Sequence, residues 1–298
     1  MAVSHVELPD GRKLKVADFG RPGDVVTIVH HGTPGGTVPF GPWLEDAARL
    51  GLRLVMYARP GYSTSTRHPG RRVVDAAADT AVIADALGAR RFLTLGYSGG
   101  GPHALACAAM LPDRVVAAAS LASVAPYDAS GLDFFEGMGP GNIEEFGLVA
   151  SGGEEASRPL TEQQAQEIVD ATPQQLLEAM APYLTPEDAA EMQGPLGPIM
   201  HAQMRDGLVD GADGWVDDNL LGVQPWGFEL SSIRVPVLLW QGRKDAMVPY
   251  GHGEWLARQI PGVEAHLSEE DCHGSLLSRR MPSILEWLRE RWDARTVS

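Results

Sequence analysis

Gly96-Tyr97-Ser98-Gly99-Gly100 constrains this chain more than any other stretch. It lies between the run Arg91-Phe92-Leu93-Thr94-Leu95 and an alanine-rich helical stretch. A serine so placed sits on a tight turn from strand to helix, with its hydroxyl pushed out of the fold. Glycines flank it because the turn brings backbone segments too close for a Cβ. The motif alone is weak, since glycine and serine are both abundant here. It gains force from three further segments, in the right order, each at the end of a predicted strand.

The pattern alternates between strands and helices. Val3–Leu8, Lys13–Phe19, Val25–His30, Leu52–Tyr57, Phe92–Tyr97, Val115–Leu121, Val235–Gln241 and Val263–Leu267 read as strands. Pro42–Leu50, Val73–Leu87, Pro102–Met110, Glu254–Gln259 and Ser275–Trp292 read as helices between or after them. Such alternation predicts an α/β fold, a mostly parallel eight-stranded sheet with helices on both faces. Between residues 124 and 230 strand signals vanish and several short helices are expected. Thr161 reads as the start of a capping box with Gln164, and Thr172 and Thr185 as N-caps followed by proline. The predicted organisation is a core of residues 1–123 and 231–298 with a helical lid, 124–230, over the carboxyl edge of the sheet, where ligands bind in such folds.

Charge marks the same segment. The chain carries a formal −15. Residues 124–226 hold 19 acidic side chains and two basic ones, a net of −17, while the remainder is close to neutral at +2. This balance disfavours nucleic acid and anionic membrane surfaces as partners. Most lid carboxylates are expected on a solvated face. The sharper alternative turns one or two of them inward to meet a substrate ammonium, which favours a neutral or cationic small molecule. Two cysteines, Cys107 and Cys272, make no disulfide framework. With no basic, apolar leader visible after Met1 and no run of 18 apolar residues, a cytoplasmic location and no membrane span are expected. No cofactor or metal motif stands out.

A serine hydroxyl needs a base, and the base needs an orienting anion. Asp245 follows the strand 235–241 and His273 follows the strand 263–267, which brings two strand ends together. The predicted roles are Ser98 as nucleophile, His273 as general base and acid, and Asp245 as the group that holds the imidazole. The backbone N–H groups of Gly99 and Thr33 are expected to bind the oxyanion. Asp128 and Asp271 are the rival acids, Asp271 being very close to His273 in the chain. His30 and His31 read as structural histidines, and Cys272 as a small half-buried residue. Ile168, Leu176, Leu177, Met180, Met192, Met200 and Met204 read as residues that pack lid helices together, or alternatively line an apolar pocket.

His31-Gly32-Thr33-Pro34-Gly35-Gly36, Arg59-Pro60-Gly61-Tyr62-Ser63, the serine pentapeptide, Gly242…Asp245…Val248-Pro249 and His273 together resemble the α/β-hydrolase fold family over nearly the whole chain. Within it, the first loop and the lid position look like the proline iminopeptidase and capped esterase branches. The resemblance implies a cofactor-independent serine hydrolase acting on a small to medium carboxylic ester. A proline-iminopeptidase-like amidase is one alternative; a ligand receptor or C–C hydrolase or lyase on the same fold is another. Two positions depart from the peptidase pattern: Gly99 stands where a tryptophan usually follows the nucleophile, and Tyr57 where many relatives carry aspartate. A serine in the elbow, rather than aspartate, is not the haloalkane dehalogenase or epoxide hydrolase pattern.

Overall fold

The computed structural model describes residues 2–296. Eight strands form one sheet: β1 (Ala2–Glu7), β2 (Lys13–Asp18), β3 (Val25–His30), β4 (Leu52–Tyr57), β5 (Phe92–Tyr97), β6 (Val115–Leu121), β7 (Val237–Gly242) and β8 (Glu264–Ser268). Their spatial order is β1-β2-β4-β3-β5-β6-β7-β8. The pairs β1–β2 and β2–β4 are antiparallel, and the others are parallel. Every residue of β3, β5 and β6 is buried, so these strands read as continuous apolar runs with both faces covered.

Alternation along each strand divides the core. Val26 and Ile28 face one cluster, which includes Ile83, Leu105 and Leu256 from helices α2 (Ala76–Ala86), α3 (Gly101–Met110) and α9 (Tyr250–Gln259). Val25 and Val29 face the other, with Trp43 and Ala47 of α1 (Gly41–Arg49) and Ile284, Leu285 and Leu288 near the C-terminus. Side chains two apart share a face of a strand, so one sheet feeds two apolar layers. Each buried leucine or isoleucine contributes roughly 1.5–3 kcal/mol.

The insertion between β6 and β7 is helical: α4 (Pro140–Asp170), α5 (Pro173–Ala179), α6 (Pro186–Gln193), α7 (Leu196–Gly207) and α8 (Asp213–Gly222). Thr172 and Thr185 cap α5 and α6 as expected, each accepting the N–H three residues on. Thr161 does not begin a helix. It lies inside α4, where its Oγ1 donates back to the Ser157 carbonyl at 3.1 Å. The break in α4 comes earlier, at Gly153, whose φ of 60° lies in the left-handed region. Pro159 falls within the helix rather than before it, so the apparent start signal at Thr161 is misleading. The closing helix also differs. A short turn, α10 (His273–Ser275), leads through a wide π turn at Leu276–Arg280 into α11 (Met281–Thr296). No helix among the described residues is long and apolar enough to cross a membrane.

Candidate active site

The carboxyl ends of β3, β5, β7 and β8 open onto one region beneath the insertion. Ser98 follows β5 with φ of 54°, a conformation a non-glycine residue adopts at a cost of roughly 1–2 kcal/mol. The turn is tight enough that a Cβ on Gly96 would stand 2.2 Å from the Gly100 carbonyl oxygen. Ser98 begins a single 3-10 turn, Ser98–Gly100, that runs into α3. Its Oγ holds no hydrogen bond among the described residues.

His273 and Asp245 meet across 28 residues of chain. His273 Nδ1 donates to Asp245 Oδ2 at 2.7 Å, and both side chains are buried. Asp245 Oδ1 accepts the backbone N–H groups of Met247 at 2.9 Å and Val248 at 2.8 Å, which fixes the carboxylate plane. With Nδ1 carrying a proton toward Asp245, Nε2 is the nitrogen left to act as base. Burial pulls the His273 pKa down, but the Asp245 carboxylate and its hydrogen bond, with a further push from Asp188, outweigh it, and the net shift is upward. Tyr97 packs its ring 4.8 Å from the imidazole and donates its hydroxyl to the His273 carbonyl at 3.3 Å.

The rival acids lie elsewhere. Asp271 is buried but engaged by Arg280, whose Nε stands 3.0 Å from both carboxylate oxygens. Asp128 has no hydrogen bond to His273 among the described residues. His30 is fully buried, with Nδ1 3.0 Å from Tyr57 Oη and Nε2 3.0 Å from Thr94 Oγ1, and burial holds its pKa down to about 3. His31 bonds the Gly32 carbonyl and accepts the Arg59 N–H. Both are structural histidines. Cys272 is buried, and that burial pushes its thiol up to about 11.

Thr33 and Gly99 adjoin: a Cβ on Gly99 would stand 2.3 Å from Thr33 Oγ1 and 3.5 Å from Thr33 N. Thr33 is held by the insertion. Its Oγ1 donates to Asp218 Oδ2 of α8 at 2.7 Å. Asp218 also accepts from Tyr62 Oη at 2.8 Å, from Arg59 and from Arg71, all buried. Burial opposes ionisation of this carboxyl, but the two guanidinium groups prevail and hold it well below the usual carboxylate range. Sequence reading placed Arg59 and Tyr62 in a loop motif without a role, and did not single out Asp218 or Arg71. No spacing rule joins residues 59, 71 and 218, so only the fold reveals the cluster.

Two compartments flank Ser98. One, of about 30 Å³, is lined by His273 and by Met180, Met192, Leu196, Met200 and Met204. Met180, Met192 and Met200 therefore both pack the insertion on the core and line the cavity, while Met204 lines it. The other, of about 90 Å³, is lined by Gly99, Asn142, Glu145, Trp215, Asn219 and Trp226. An outer cavity of about 290 Å³ shares Thr33, Met180, Met204 and Met247 with the first. Glu145 is an insertion carboxylate turned inward. Asn219 Nδ2 donates to it at 2.7 Å, and burial raises its pKa to about 7 against the pull of that hydrogen bond. A larger trough, about 960 Å³, lies at the opposite edge of the sheet among Asp24, Arg53, Asp85, Arg90 and Arg114, and contains none of these groups. Among the described residues no group of three or more His, Cys, Asp or Glu side chains could hold a metal ion.

The sequence model of the alpha/beta hydrolase fold matches residues 26–176. Among solved structures, the chain is similar to an esterase from Thermogutta terrifontis with malate bound, at TM-score 0.69 and 21% identity, covering 98% of this chain and 99% of that one. It is similar to the esterase EaEST from Exiguobacterium antarcticum, at TM-score 0.69 and 20% identity over 97% of this chain and 100% of that one. It is also similar to the enol-lactonase from Burkholderia xenovorans, at TM-score 0.67 and 17% identity over 97% and 100%. No curated protein matches.

Proposed function

The chain belongs to the alpha/beta hydrolase fold family, and on that premise we propose that it is a serine esterase working through Ser98, His273 and Asp245. One observation carries the reading: His273, bonded to Asp245 at 2.7 Å, lines the same small compartment as Ser98. In this reading Ser98 Oγ attacks the acyl carbon while His273 Nε2 takes its proton. The tetrahedral oxyanion is met by the N–H groups of Gly99 and Thr33, each worth roughly 3–4 kcal/mol to the transition state. His273 then protonates the leaving alcohol. Water, activated by the same imidazole, releases the acid and frees Ser98.

The methionine-lined compartment supports a substrate with an apolar part, since flexible thioethers accommodate varied alkyl shapes. The insertion, acting as a lid, supports the oxyanion loop through Asp218 and Thr33. Glu145 favours a second reading. An inward carboxylate beside Ser98 suits an amine-bearing acyl group, as in a proline-iminopeptidase-like amidase. A panel of p-nitrophenyl esters run beside proline p-nitroanilide ranks the two readings, and preference for the anilide reverses the order.

Ser98→Ala is expected to lower kcat on the order of 10⁵-fold or more and to abolish labelling by a fluorophosphonate. Turnover that survives this change removes the serine mechanism. Ligand binding that survives it, in a protein with no turnover to lose, moves the chain to the receptor class.

A further inference from the structure

Helix α6 of the insertion packs on the turn that carries His273. Thr185 caps this helix, accepting the Asp188 N–H and donating its own hydroxyl to Asp188 Oδ2 at 2.9 Å. The cap leaves the other carboxylate oxygen free to point toward the core. Asp188 Oδ1 accepts the backbone N–H of Gly274, the residue directly after His273, at 2.8 Å. Asp188 is 1% exposed. Two further acids of α6 grip the same pair of loops. Glu191, one turn on, accepts from Ser278 Oγ at 2.7 Å and pairs with Arg279. Glu187 lies 3.3 Å from Lys244, the neighbour of Asp245. The fit against Gly274 is close: a Cβ there would meet Leu196 at 3.1 Å and Glu191 at 3.2 Å.

We propose that Asp188 is a positioning residue of the active site, through which the lid holds the His273 turn in register with Asp245 and places a second negative charge beside the imidazole. This rests on the serine-hydrolase reading above. The core supplies all three reacting groups, yet the N–H that fixes the turn after the base is satisfied by the lid. The groups that face the imidazole are Asp245 from the β7 loop, Asp188 from α6 and Tyr97 from β5, with Cys272 adjoining in its own turn. Asp188 acts in the same direction as Asp245 on the base, favouring the imidazolium that forms as Ser98 loses its proton. A lid that lifts removes both the tether and the charge, so full basicity belongs to the closed arrangement.

The test separates charge from tether. Asp188→Asn keeps an oxygen for the Gly274 N–H and loses the charge; Asp188→Ala loses both. The probe is the His273 imidazole itself, titrated by NMR in histidine-labelled full-length protein, together with the pH profile of kcat/KM on a p-nitrophenyl ester. In Asp188→Asn the His273 pKa is expected to fall by about half a unit to one unit, with the acid limb of the profile following it. In Asp188→Ala kcat is expected to fall about tenfold or more beyond that. Glu191→Gln, which alters a tether farther along the turn, is expected to leave the titration where it is. A His273 titration identical in wild type and Asp188→Asn overturns the proposal, even if stability drops, because a merely structural residue would leave it unmoved. Fluorophosphonate labelling of wild-type Ser98 is measured alongside. A shifted pKa without labelling removes the hydrolase reading and keeps the Asp188 contact. Labelling with an unshifted pKa removes the contact's role alone.

Discussion

The sheet and the insertion meet at Ser98, but the balance of forces that holds each in place differs. The sheet is held by apolar burial: β3, β5 and β6 present no exposed residue. The insertion shares a smaller apolar cluster with the core, around Tyr62, Leu208, Trp215 and Val216, packs Met192 and Leu196 against the core, and is fastened by ion pairs as well. The cations in those pairs come from the core. Lys15 meets Asp206, Arg67 meets Asp217 at 2.7 Å, and Arg59 and Arg71 meet Asp218. The acid excess of residues 124–226 is therefore more than a solvated face. Part of it is one half of a complementary joint whose other half is core cations, four of them before residue 72 and Lys244 and Arg279 far beyond it.

The comparison can be broken most sharply at its joint. Asp218→Ala leaves Arg59 and Arg71 buried without their carboxylate, and is expected to cost about 3–5 kcal/mol of stability, measured by denaturant unfolding. It should also slacken Thr33. A loss below about 1 kcal/mol would mean that apolar packing alone suffices to hold the insertion.

A smaller effect sharpens the contrast. Glu145 has no cation among its hydrogen-bond partners. Its folded pKa of about 7 lies above the ordinary 4.5, so the folded chain binds this proton more tightly than the unfolded one. Its contribution is present in full below pH 4.5 and is lost as pH rises through 7. Glu145→Gln removes the loss. The variant is expected to match wild type near pH 4 and to exceed it by up to about 3 kcal/mol at pH 8. Stability curves that run parallel across that range would show that Glu145 ionises without strain.

This division also governs what the sequence reveals. The strands Val25–His30, Leu52–Tyr57, Phe92–Tyr97 and Val115–Leu121 occur at the bounds their apolar runs predict, because burial on both faces leaves a continuous signature. The order of Ser98, Asp245 and His273 along the chain is equally legible, since each follows a strand. The insertion is less so. Thr161 imitates a helix start because Gln164 three residues on completes the pattern of a capping box, while the actual break is at Gly153. Asp188, Glu145 and Asp218 are indistinguishable in sequence from their exposed acidic neighbours. What sets them apart is a partner more than 70 residues away: Gly274, Asn219 and Arg59.

Met180, Met204 and Met247, with Thr33 and Pro34, line both the outer cavity and the compartment that holds Ser98 and His273. The three methionines are unbranched side chains with three rotatable bonds each, set beside the stiffer Thr33 and Pro34. An alkyl chain lengthened by one carbon at a time would then be met by rotamer adjustment at every step. Under the esterase reading, selectivity declines gradually with chain length, and an abrupt cut-off between adjacent homologues would show a stiffer boundary than thioethers can make.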